Sequence, residues 1–156
     1  MTGAGASSPY LAEPPASYLV RPPIVVDCSV LSAASFDEPL RDDAERLLVG
    51  KTLYAPDLID YEIANVAGKK RRLALTAGLS PEEAQAWLGQ SLERYLGLEL
   101  QRSGIDLRDT VALAERYQLS AYDASYLWLA AELKAPLVTF DAKLADAARR
   151  HLSTLK

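Results

Sequence analysis

Ile24-Val25-Val26-Asp27 decides the fold. Three consecutive β-branched residues with no polar alternation fit a strand buried on both faces, as in a parallel sheet. A second such run, Leu137-Val138-Thr139-Phe140, also ends in an aspartate, Asp141. Between them the apolar residues follow helical spacing. Glu38 to Val49 carries Leu40, Ala44, Leu47 and Leu48 on one face. Thr52 to Ala55 reads as a short strand stopped by Pro56, and Asp57 is expected to cap a helix to about Arg72 with Ile59, Ile63 and Val66 inward. Ser80-Pro81-Glu82-Glu83 is a strong helix start, with an N-cap serine, a proline at the first helical position and a glutamate at the third. The helix it opens, to Leu96, is broadly apolar through Ala84, Trp87, Leu88, Leu92, Tyr95 and Leu96. Leu98 to Leu100 is a possible strand, Asp106 caps a helix to Tyr117, and Ser120 caps the next, which Ala135-Pro136 stops. Lys143 to Arg150 is expected as a last helix and Leu152 to Leu155 as an edge strand. Short apolar strands separated by helices define an α/β domain with a mainly parallel sheet covered on both faces.

Composition agrees with one such domain. The chain has 156 residues, 49% apolar and 24% charged, enough for a hydrophobic core. Residues 1–23 contain Pro9, Pro14, Pro15, Pro22 and Pro23 without helical or strand period, and read as a flexible tail before a domain at 24–156. Tyr18, Leu19 and Val20 are apolar enough to dock on the domain or a neighbour. A single cysteine, Cys28, excludes an intrachain disulfide and a cysteine zinc cluster. A single histidine, His151, leaves two-histidine mechanisms without residues. No segment has the length and apolarity of a membrane span, and the first residues lack a secretory signal's basic start and apolar stretch, so a cytoplasmic location is expected. The net charge of −4 argues against coating nucleic acid by charge alone. It is compatible with a nuclease, whose acidic residues gather around metal ions. No glycine-rich phosphate loop appears, so nucleotide-cofactor binding has no support.

Ligands of open α/β sheets bind beyond the carboxyl ends of the strands. Asp27 and Asp141 share that rim if their strands are parallel neighbours; otherwise they are a loop residue and an N-cap. Glu62 forms a polar stripe with Asn65 and Lys69 on one helix. Asp123 stands three residues after Ser120, a place that a capping box also explains. Hard cations such as Mg²⁺ and Mn²⁺ prefer oxygen donors, and close carboxylates repel unless a cation neutralises them. Spacing alone does not bring these four together. Lys69-Lys70-Arg71-Arg72 is the tight basic cluster. Lys69 and Arg72 are candidates for nucleic-acid phosphates, against the alternative of cations at a helix end. Trp87 and Trp128 read as core or interface residues, and Cys28 as a small buried hydrophobe.

Four motifs in order, Val26-Asp27-Cys28-Ser29-Val30, Tyr61-Glu62-Ile63-Ala64-Asn65-Val66, Leu119-Ser120-Ala121-Tyr122-Asp123-Ala124-Ser125-Tyr126-Leu127 and Thr139-Phe140-Asp141-Ala142-Lys143-Leu144, resemble the PIN-domain ribonucleases, above all the VapC-type toxins of toxin–antitoxin pairs. The resemblance spans about Ile24 to Lys156. It implies a three-layer α/β/α domain with Asp27, Glu62, Asp123 and Asp141 around one or two Mg²⁺ or Mn²⁺ ions, and metal-dependent endonucleolytic cleavage of RNA. On that pattern Asp27, Asp123 and Asp141 hold metal directly or through water. Glu62 orients the attacking water or completes a second metal position. Ser29, Asn65 and Thr139 match polar positions flanking the quartet and are assigned supporting roles. The resemblance also implies a homodimer and a small antitoxin that wraps the toxin. Two other classes remain: a catalytically inactive PIN-like module that binds RNA or protein, and a receiver-type phosphoryl-transfer domain. The latter pairs adjacent acids at the first strand with a late lysine, whereas Cys28 and Thr139 stand here.

Overall fold

The computed structural model describes residues 20–155. The first helix follows the first strand with a single residue between them. Strand β1 (Pro23–Val26) runs into α1 (Cys28–Ser35), with Asp27 as the N-cap. Then come α2 (Arg41–Leu48), β2 (Thr52–Pro56), α3 (Ile59–Thr76), α4 (Pro81–Leu96), β3 (Leu100–Ser103), α5 (Leu107–Tyr117), α6 (Ala121–Leu133), β4 (Leu137–Val138) and α7 (Ala142–Leu152). All pairings are parallel, in the order β3-β2-β1-β4. Helices on both faces make this a three-layer α/β/α domain. The strand order reverses at β1, because the chain moves outward through β2 and β3 and returns to β4 on the other side. Such a switch point opens a crevice at the carboxyl ends of the strands.

Burial explains β1. Val25 and Val26 are fully buried and Ile24 nearly so, the double-sided burial that the apolar run predicts. A main core gathers β1, α1, Ile59, Ile63, Tyr126 and Leu129. A second packs Leu113, Leu119, Leu127 and Leu144 between α5, α6 and α7. Fully burying side chains of this size contributes about 1.5–3 kcal/mol each. The capping box at Ser80 forms as expected: its hydroxyl accepts from the Glu83 amide (3.1 Å), and the Glu83 carboxylate accepts from the Ser80 amide (2.8 Å).

Several expectations are corrected. Helix α1 carries no sequence signal. Val30 to Ser35 are all buried, so no polar face exists to give a helical period. Asp57 does not cap α3. Its backbone N–H bonds Ser103 (2.9 Å) and prolongs the β2–β3 ladder, leaving Leu58 in the cap position without a side-chain cap. That helix runs on to Thr76, so Lys69 to Arg72 lie inside it and not at its end. Helix α2 begins at Arg41, after Pro39, and not at Glu38. The third strand is Leu100–Ser103, shifted from Leu98–Leu100 by its pairing with β2. The last strand ends at Val138, because Thr139 and Phe140 turn aside to bond Asp27 and Ser29. Leu152 to Leu155 form no strand: α7 reaches Leu152 and the chain continues in turns. Of the proline-rich segment, residues 1–19 lie outside the described residues, with the expected docking of Tyr18 and Leu19. Val20 is exposed and does not dock on the domain. The broad apolar face of α4 is absorbed mostly by the core, through Trp87, Leu88 and Leu92, and leaves Leu96 outside.

Candidate active site

Asp27 is built in by the strand-to-helix junction. As the N-cap of α1 its Oδ1 accepts from the Ser29 amide (3.1 Å), the Ser29 hydroxyl (2.6 Å) and the Val30 amide (3.4 Å). Its Oδ2 accepts from the Thr139 hydroxyl (2.7 Å). Ser29 Oγ accepts in turn from the Phe140 amide (2.9 Å), and Thr139 Oγ1 from the Asp141 amide (2.9 Å). Two hydroxyls thus stitch the end of β4 to the start of α1 and fix the carboxylate between them. Asp27 is buried, which pushes its carboxyl above the ordinary value, while these hydrogen bonds pull the other way. Three of these bonds fall on Oδ1 and fix the carboxylate's orientation, while Oδ2 accepts only one and keeps a lone pair free.

Glu62 lies in the first turn of α3, half-buried, where it accepts a hydrogen bond from the Tyr126 hydroxyl. Burial raises its carboxyl first, and the charges of Asp123 and Asp27 raise it further. Asp123 occupies the first turn of α6, where its amide bonds Ser120 Oγ (3.1 Å). Its carboxyl is raised by burial and then by Asp141, with partial relief from Ser120 and Lys143. Asp141 caps α7 through Oδ1, which accepts from the Leu144 amide (2.7 Å). The capping reading of Asp141 is therefore realised, and it occupies only one of the two oxygens.

The four carboxylates sense one another in sequence across the rim: Asp27 and Asp123 act on Glu62, and Asp141 acts on Asp123. None of the four forms an ion pair among the described residues. All offer oxygen, the donor type that suits Mg²⁺ or Mn²⁺. No three of the described His, Cys, Asp and Glu side chains stand close enough to hold a metal ion as they are. The donor chemistry fits a divalent cation, and its binding requires the side chains to draw together.

Ser29 and Thr139 touch Asp27 directly, whereas Asn65 bonds none of the four. Asn65 and Lys69 line, with Glu62, Cys28, Tyr61 and Tyr122, a cavity of about 310 Å³ beside the acids. Arg72 does not reach that lining. Lys70 instead pairs with Glu38 (2.9 Å) and lies over the Phe36 ring. Burial, reinforced by Glu62, Asp27 and Glu38, pushes the Cys28 thiol up to about 12, so it stays a neutral, partly buried group. Trp87 packs on Phe36 and bonds Asp37, and His151 pairs with Tyr117, so neither belongs to the site. A larger cavity, about 570 Å³, is lined by Arg21, Lys51, Leu98 and Glu99, which precede β1, β2 and β3 and so mark the opposite end of the sheet. Sequence reasoning missed the bond from Tyr126, a buried residue of the main core, to Glu62. The available signal was chemical: a buried tyrosine hydroxyl needs a partner.

The family model described as the PIN domain matches residues 24–150. The chain belongs to the PIN-domain family and, within it, to the VapC ribonucleases. It is 33% identical over 124 residues to Ribonuclease VapC3 of Pyrobaculum aerophilum, covering 79% of this chain and 92% of that protein. It is 36% identical over 132 residues to Ribonuclease VapC9 of Mycobacterium tuberculosis strain H37Rv, covering 79% and 89%. Among solved structures, PAE2754 from Pyrobaculum aerophilum superposes with a TM-score of 0.59 at 24% identity, over 86% of this chain and 96% of that one. VapC20 of Mycobacterium tuberculosis, described as a sarcin-ricin loop cleaving toxin, superposes with a TM-score of 0.50 at 16% identity, over 80% and 94%. These two structures are alike in fold.

Proposed function

We propose that this chain is an endoribonuclease, the toxin of a toxin–antitoxin pair, which hydrolyses RNA phosphodiester bonds with Mg²⁺ or Mn²⁺ held among Asp27, Glu62, Asp123 and Asp141. The observation that supports the reading is that Asp27, Glu62, Asp123 and Asp141 all follow the carboxyl ends of strands or begin the helices there, with no ion pair to any of them among the described residues and only partial relief of Asp123 by Lys143. Membership among the VapC ribonucleases supports the same chemistry. A divalent cation at such a site polarises the phosphodiester, activates water and stabilises the leaving oxygen. In this reading Asp27, Asp123 and Asp141 supply ligand oxygens, and Ser29 and Thr139 hold Asp27 in register. Glu62, set by Tyr126, orients the attacking water or completes a second metal position. Asn65 and Lys69 flank the approach from the neighbouring cavity, and Arg72 would meet RNA only farther along α3.

The decisive experiment is cleavage of total cellular RNA by purified protein with Mg²⁺, Mn²⁺ or EDTA, beside Asp27→Asn. Cleavage that needs metal and falls at least roughly a thousandfold in the variant is expected, since losing a metal ligand removes several kcal/mol of transition-state stabilisation. Equal cleavage by both proteins would place the site elsewhere. One observation favours a second reading, a catalytically inactive PIN-like module that binds RNA or protein: no three carboxylates are drawn together already. That reading requires RNA affinity without cleavage under any metal, surviving loss of the carboxylates.

As a toxin of this type the chain would act in the cytoplasm, bind a VapB-type antitoxin and form a homodimer. No helix among the described residues is long and apolar enough to cross a membrane. Leu107, Leu73 and Leu96 stand about two-thirds exposed and offer apolar surface to a partner. A strict monomer at micromolar concentration, by size exclusion with light scattering, would remove the homodimer.

A further inference from the structure

The cavity beside the acids has a chemistry of its own. It is about 310 Å³, the lower end of the range of small-ligand pockets. Two tyrosines line it, and both are unusually open: Tyr61 is 78% exposed and Tyr122 is 65% exposed. Tyr61 immediately precedes Glu62 in the first turn of α3, and Tyr122 immediately precedes Asp123 in the first turn of α6. The two helices that deliver carboxylates to the rim therefore also deliver a ring each to the adjoining cavity. Asn65, one turn along α3, adds an amide that can both donate and accept. Lys69 adds an ammonium with no carboxylate partner among the described residues, whereas the next residue, Lys70, is paired with Glu38.

We propose that this cavity is a base-binding subsite, in which one unpaired nucleobase of a single-stranded RNA stacks on Tyr61 and Tyr122. This rests on the ribonuclease reading and deepens it. Single-stranded RNA is recognised by bases splayed onto aromatic faces and bonded along their edges, and every base has a face to stack. Asn65 bonds the base edge. Lys69 holds the phosphate on the far side of that nucleotide, because a chain of net negative charge needs a local cation to keep RNA close. The phosphate on the near side then meets Asp27, Glu62, Asp123 and Asp141. The subsite thus places the nucleotide next to the scissile bond, and its target is unpaired RNA rather than duplex.

The test uses full-length Asp27→Asn protein with Mg²⁺ and a labelled single-stranded oligoribonucleotide of mixed sequence. The probe carries a fluorescent purine analogue that stacking quenches. Tyr61→Ala and Tyr122→Ala, each in that background, are expected to weaken binding roughly fivefold to a hundredfold and to restore the emission. Tyr61→Phe and Tyr122→Phe, which keep the ring, are expected to bind and quench as the parent does. Alanine variants with unchanged affinity and unchanged quenching would overturn the subsite, while cleavage of total RNA by the wild type would leave the ribonuclease reading standing. Alanine variants that keep RNA affinity but turn a dimer into a monomer would make the patch a protein interface and overturn the subsite as well. A wild type that neither binds nor cleaves RNA would end both. Circular dichroism of each variant separates lost folding from lost stacking.

Discussion

Asp60 and Glu62 are two residues apart on α3 and live in opposite worlds. A separation of two turns the helix by about 200°, so the two side chains face different ways. Asp60 meets the Arg102 guanidinium with both oxygens (2.8 Å each) and the Tyr95 hydroxyl (2.8 Å). Arg102 holds its carboxyl below the ordinary value, and Tyr95 helps. Glu62 has a hydroxyl in place of the guanidinium, and burial with Asp123 and Asp27 drives it the other way. A carboxylate serving the fold is supplied with its cation by the protein. Glu62 has no ion pair among the described residues, and this local deficit of positive charge distinguishes it from Asp60 more clearly than its being acidic does.

Neutralising the two acids is the strongest way to break this contrast. Glu62→Gln is expected to lower RNA cleavage at least roughly a hundredfold, about 2.7 kcal/mol at the transition state, in a metal-dependent assay. Asp60→Asn in the same assay is expected to change it little, and comparable losses in both would erase the distinction. Next in size is Thr139→Val, which removes the hydroxyl between Asp27 and the Asp141 amide. Loss of such a supporting bond lowers metal affinity or activity roughly tenfold to a hundredfold, to be read by Mn²⁺ titration calorimetry and cleavage rates. Stability gives the third comparison. Asp60→Asn should cost about 1 kcal/mol or less by urea denaturation, since the pair is half-exposed and screened.

The smallest signal is the direction of titration in metal-free protein, read by carbon-detected NMR. Asp60 should titrate below 3.8, so its stabilising contribution is present above that value and lost as pH falls through the folded value. Glu62 should titrate above 4.5, so its contribution is present below that value and lost as pH rises through the folded value. Added Mg²⁺ should pull Glu62 down and leave Asp60 where it is. A Glu62 that titrates at or below its ordinary value without metal would refute the deficit.

Much of this was readable beforehand. Ile24-Val25-Val26 announced a strand buried on both sides because every residue is apolar and β-branched. Ser80-Pro81-Glu82-Glu83 announced α4 because its cap is closed by neighbours three residues apart. The motif order brought Asp27, Glu62, Asp123 and Asp141 forward together through resemblance, although spacing alone did not. Helix α1 was not legible, since a helix buried all round shows no period. The bond from Tyr126 to Glu62 was not legible either, because a pattern of apolar positions does not show where a hydroxyl ends.

The residues alone determined whatever depends on near neighbours: strand character, caps, the all-oxygen donor set and the lack of cysteine or histidine clusters. Only the tertiary structure decided that β4 lies beside β1, that Thr139 and Ser29 clasp Asp27 across 112 and 111 residues of chain in their bonds to Asp27 and Phe140, and that Tyr126 reaches Glu62 across 64. These are contacts between elements brought together by burial of a shared core, and no local energy term records them. It also decided that Arg102 lies beside Asp60 and that no described cation pairs with Glu62. Charge pairing depends on distance in space, which a linear string of residues does not carry.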